Sequence, residues 1–78
     1  MSPEIERRDR ISLHVYRERG ARHHRPHAHL RRHGGGAETV VGLPLLDVIV
    51  GPAVTGEEMA VMLDCLQRLL DAWEELNG

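Results

Sequence analysis

Residues 11 to 16, Ile-Ser-Leu-His-Val-Tyr, alternate apolar and polar side chains without a break, and the pattern returns at residues 27 to 32, His-Ala-His-Leu-Arg-Arg. A period of two belongs to a strand with one face in a core and the other facing out. Two such segments in succession predict an antiparallel hairpin. Ile11, Leu13, Val15, Ala28 and Leu30 must then share the inner face, because a one-residue slip would turn them all outward. Setting Leu13 opposite Leu30 puts His14 opposite His29 and Tyr16 opposite His27 on the outer face. Directly opposed Cβ atoms lie about 4.5–5.5 Å apart, so His14, His27 and His29 should converge with Tyr16 beside them.

The rest of the chain extends this sheet. Glu38–Leu43 and Leu45–Gly51 predict two more strands, with Pro44 in the turn between them because it cannot donate to a ladder. Leu46 and Val48 are expected inward, which sends Asp47 outward toward the histidines. Thr55 and Glu58 form a T-x-x-E capping box. Beyond it Met59, Met62, Leu63, Leu66, Leu69, Leu70, Trp73 and Leu76 recur at helical spacing. The expected fold is a single α+β domain over residues 1–78: a small antiparallel meander of about four strands against one C-terminal helix.

Such a short chain has a marginal core, and here it is aliphatic, since Phe is absent and Tyr16 and Trp73 are the only aromatic residues. Chains of this kind gain stability by oligomerising. Val61, Cys65 and Ala72 broaden the helix's apolar face sideways, so a homo-oligomer is expected. With one cysteine there is no internal disulfide, and no stretch resembles a signal peptide or a membrane span. The expected location is the cytoplasm.

Net charge is only −2, but the sum conceals a division. Residues 1–36 carry nine arginines against four acids, and residues 37–78 carry one arginine against eight. A basic half points to an anionic partner such as nucleic acid. Arg17, Arg25 and Arg31 are the candidate phosphate contacts, since they flank the histidines.

Five of the six histidines fall in residues 23–33. Imidazoles titrate near neutral pH, so His27, His29 and His14 are candidates for general acid–base catalysis without a cofactor. The same three residues also suit tetrahedral zinc with one position open. A solvated polar face is the plain alternative. His23, His24 and His33 sit in loops and read as surface residues.

The strand ending in Tyr16, the step Arg25-Pro26-His27-Ala28-His29-Leu30, the stretch Glu38–Gly51 and the helix ending in Leu-Leu-Asp-Ala-Trp-Glu-Glu-Leu-Asn together resemble the small bacterial family called domain of unknown function 4160. That family typically carries Pro-Pro-His-Phe-His-Val at the histidine step, where this chain has Arg25 for the first proline and Ala28 for the phenylalanine. The resemblance implies a compact sheet-plus-helix fold. It also implies a neighbouring small protein as partner, in an arrangement like a toxin–antitoxin pair. The resulting expectation is a toxin–antitoxin-like protein that contacts nucleic acid, with a metal-independent, histidine-dependent ribonuclease as the first enzymatic reading. The alternatives are a non-enzymatic partner-binding module and a histidine-cluster metal protein.

Overall fold

The computed structural model describes residues 4–18 and 25–78. Strands β1 (Glu4–Arg8), β2 (Ile11–His14), β3 (His27–Arg32), β4 (Thr39–Gly42) and β5 (Val48–Val50) form one antiparallel sheet in chain order. Helices α1 (Gly56–Asp64) and α2 (Leu66–Asn77) follow. The α+β class is as expected, and the register of the central hairpin is too: Leu13 pairs with Leu30 and His14 with His29. His23 and His24 lie outside the described residues.

Three features differ from expectation, each for a local reason. First, the sheet has five strands. In β1, Glu-Ile-Glu-Arg-Arg, only Ile5 is apolar, so periodicity does not reveal it. It pairs with β2 through a bulge between Glu4 and Glu6, and Asp9 makes the connecting turn with φ 55°, a conformation Asp tolerates. A charged edge strand of this kind resists pairing with other chains.

Second, Val48 does not point into the core. Leu46 takes φ 60° and is buried from within the turn, and a register irregularity separates Val40 from Val41 opposite β5. Together these shift the phase of the alternation, so Val48, Ile49 and Val50 form an exposed edge.

Third, the helical segment is interrupted at Cys65, whose φ of −102° and ψ of 3° leave the helical region. Its N–H is shared between the carbonyls of Val61 and Met62. Cys65 is almost wholly buried, while Leu63, expected on the core face, is exposed. Val61 and Ala72 pack against the core, so the broad apolar face is largely covered from within the chain.

The core lies on one side of the sheet. Leu13, Val15, Leu30, Val41, Met62 and Leu69 are fully buried there, with Trp73 at its margin. The capping box forms: Thr55 Oγ1 accepts from the Glu58 N–H, and the Thr55 N–H donates to Glu58. Arg32, the last residue of β3, then grips the Glu58 carboxylate through Nε and Nη2, both at 2.9 Å. That guanidinium overcomes the effect of burial and holds the Glu58 carboxyl below its ordinary pKa. Arg32 also donates to Thr39 Oγ1 at 2.7 Å. The strand carrying His27 and His29 is thus tied at one end to the start of α1.

Candidate functional site

The outer face of the hairpin carries two histidine clusters. One is bridged by a serine, although His14 Nδ1 stays buried without a hydrogen-bond partner. Ser12 Oγ lies 2.7 Å from His14 Nε2 and 2.7 Å from His33 Nε2. A hydroxyl has one proton to give, so Ser12 donates to at most one of the imidazoles and accepts from at least one. Ser12 is fully buried and His14 nearly so. Burial first, and then the positive charge of Arg31, lowers the His14 pKa, which keeps the ring neutral. His33 is exposed, as expected, and its Nε2 is also fixed to this buried serine.

The other cluster is Glu18, His27 and His29, each of which offers a ligand atom within 4.8 Å of the other two. His29 donates from Nδ1 to Glu38 Oε2 at 2.8 Å. Its Nε2 is then a bare lone pair, buried and without a hydrogen-bond partner. His27 donates from Nδ1 to the Arg25 carbonyl oxygen at 2.8 Å, an acceptor that requires the proton to sit on that nitrogen. Its Nε2 nevertheless faces Glu18 Oε1 at 2.8 Å. A lone pair and a carboxylate oxygen cannot stay that close unaided. A positive centre must stand between them, either a second imidazole proton or a metal ion.

This pattern suits metal ligation. Ligating histidines usually pass their other ring N–H to a carboxylate or a backbone carbonyl, which fixes the tautomer and orients the ring. Here Glu38 and the Arg25 carbonyl serve in those positions. An ion about 2.0–2.2 Å from each donor would replace the hydrogen bond between His27 and Glu18 with only a small spreading of the two side chains. The rings are also held in place. Tyr16 packs edge-on against His29 with centroids 4.8 Å apart, and Trp73 lies 4.9 Å from the His27 ring. Asn77 holds the chain before Glu18 by accepting from the Glu18 N–H at 2.7 Å and donating to the Tyr16 carbonyl at 3.1 Å.

The three donors that converge are Glu18, His27 and His29, where the sequence reading offered His14, His27 and His29 as a possible metal set. Serine occupies His14, and Glu18 completes the group. Asp47 is also reassigned. It does not reach a histidine; both of its oxygens accept from Arg25. That pair lies over Gly42, where a Cβ would collide with Arg25 and Asp47. Glu18 and Glu38 carried no sequence signal, since each lies nine residues from its histidine, a spacing that marks no regular element.

The expected phosphate contacts are mostly paired. Arg25 is bound to Asp47, and Arg31 donates from Nε to Glu38 Oε1 at 3.2 Å. Arg8 reaches Asp64, and Arg68 reaches Glu6. With Arg32 on Glu58, five arginine–carboxylate pairs among the described residues join the basic half to the acidic half. The charge division along the chain is thus partly consumed within the fold. Burial opposes ionisation of Glu38, but the hydrogen bonds from His29 and Arg31 outweigh it and lower its pKa. Arg17 is exposed.

No family model, no curated protein and no solved structure matches this chain. Function is therefore argued from the two clusters themselves. One is a serine-bridged histidine pair, and the other brings two histidines and one carboxylate together.

Proposed function

We propose that this protein binds a divalent transition-metal ion, zinc in the first instance, through Glu18, His27 and His29. The observation that carries the reading is the orientation of the two imidazoles. Each is anchored at Nδ1, which leaves the Nε2 atoms to meet a carboxylate. Two nitrogens and one oxygen are borderline donors that suit zinc. Calorimetric titration of metal-free protein with Zn²⁺ should give one site per chain. Because the ion binds the folded state, a concentration 100 times Kd should raise Tm by roughly 10–20 °C for a domain of this size. An unchanged Tm with no binding heat would refute it.

The acid–base ribonuclease expected from sequence would use the same imidazoles and is the reading left if zinc does not bind. Phosphate contacts at Arg25 or Arg31 would compete with Asp47 and Glu38. Homo-oligomerisation, for its part, would draw on the exposed β5 edge, where Leu45, Val48, Ile49 and Val50 are apolar and uncharged. Light scattering of the wild type and of Ile49→Lys tests that surface directly.

A further inference from the structure

We infer that the ion at Glu18, His27 and His29 is a reactive one and that the site hydrolyses phosphate esters, a reading that rests on the proposed metal binding. Three features carry it. First, the described residues supply three donor atoms, and three-ligand zinc sites of mixed nitrogen and oxygen donors keep a position for water, whereas structural sites close with four ligands. The donor side chains are partly exposed, 25% for Glu18, 12% for His27 and 19% for His29, which puts the group at the protein surface although His29 Nε2 itself is buried.

Second, the charge balance selects an anion. A divalent ion with one carboxylate ligand leaves a net positive centre. Third, arginine stands beside it. Arg31 is two residues along β3 from His29 on the same face, about 7 Å away by strand rise. It spends only Nε on Glu38, and its Nη1 and Nη2 make no hydrogen bond among the described residues. A guanidinium with free terminal N–H groups pairs with phosphate oxygens by geometry. Arg17, next to Glu18 in the chain, is exposed.

The step is a hydrolysis. A water molecule polarised by the ion loses a proton to solvent, and its oxygen lone pair forms a new P–O bond. The P–O bond to the leaving alcohol breaks with its electrons on the leaving oxygen, which takes a proton from solvent. One water is consumed, and a diester yields a monoester and an alcohol. Lowering the pKa of a bound water toward 7 is the ordinary contribution of such an ion.

The experiment uses full-length protein loaded with one equivalent of Zn²⁺ or Mn²⁺. Bis(4-nitrophenyl) phosphate, 4-nitrophenyl phosphate and 4-nitrophenyl acetate are supplied in parallel, with zinc uptake measured on the same samples. The expected result is turnover of a phosphate ester above the level of Glu18→Ala protein, with the first two substrates separating diester from monoester specificity. Arg31→Ala should still take up zinc while KM rises roughly 10- to 100-fold, the cost of a charged hydrogen bond. Zinc uptake without phosphate ester turnover, cleavage of the acetate alone, or an unchanged KM in Arg31→Ala overturns this inference and leaves metal binding standing. Failure to take up zinc overturns both.

Discussion

His14 and His29 stand directly opposite each other on adjacent strands, yet their surroundings give them different chemistry. Ser12 occupies Nε2 of His14 and ties it to His33. Glu38 occupies Nδ1 of His29 and leaves Nε2 bare, near His27 and Glu18. Each ring keeps one buried nitrogen without a partner, Nδ1 in His14 and Nε2 in His29, but the two sit in different company. What separates them is the partner of the other ring nitrogen. His14 has a serine there and His29 a carboxylate, and among the described residues only His29 belongs to a group of three converging donors.

Substitutions should separate the two clusters, and the largest effect falls on the donors. Glu18→Ala, His27→Ala and His29→Ala should each cost more zinc affinity than the roughly 10–100-fold expected for loss of an outer partner. Circular dichroism should stay native, because none of the three belongs to the apolar core. Glu38→Gln should fall within that 10–100-fold range, since it weakens the partner of His29 without removing a donor. Zinc titrations of the four variants in one buffer would rank them.

Next comes the serine. Ser12→Ala leaves the His14 Nε2 without its partner inside a buried residue and should cost about 1–3 kcal/mol of stability, measured by urea unfolding. Zinc affinity should hardly change. If Ser12→Ala instead abolished zinc binding, the clusters would be one unit and the comparison would fail.

The smallest expected effect is on pH dependence. The His14 pKa is lowered in the folded state, so the unfolded chain binds the extra proton more readily. Stability should therefore be complete above the ordinary histidine value, about 6.5, and decline as pH falls below it. The lowered carboxyls of Glu38 and Glu58 act in the same direction at more acidic pH. Their contribution is present above the usual glutamate range and lost as pH falls through the folded values. His14→Gln should remove the first stage of acid loss and keep the second, as followed by Tm against pH.

Much of this arrangement was legible in the sequence. Alternation at Ile11–Tyr16 and His27–Arg31 specified the hairpin, its buried face and the opposition of His14 to His29. The capping box at Thr55 and Glu58 was equally clear, because its two residues are local. The features that escaped are those without a period or a fixed spacing. Strand β1 has one apolar residue, the phase of β5 depends on a left-handed leucine and an irregular register, and the joint at Cys65 interrupts an unbroken apolar repeat. Glu18 and Glu38 each lie nine residues from their histidines, so their roles depended on tertiary placement. The basic half suggested an anionic partner, but sequence position could not show that Arg8, Arg25, Arg31 and Arg32 meet carboxylates across the fold.

The most direct test is long-range ¹H–¹⁵N NMR of the histidine rings during zinc titration, which reports the protonation and ligation of each nitrogen. One equivalent of zinc should shift Nε2 of His27 and His29 to the ligated range while both Nδ1 atoms stay protonated. The rings of His14 and His33 should keep their metal-free signals. Ligation of His14, or unchanged Nε2 resonances at His27 and His29 in saturating zinc, would contradict the assignment of Glu18, His27 and His29 as the metal centre.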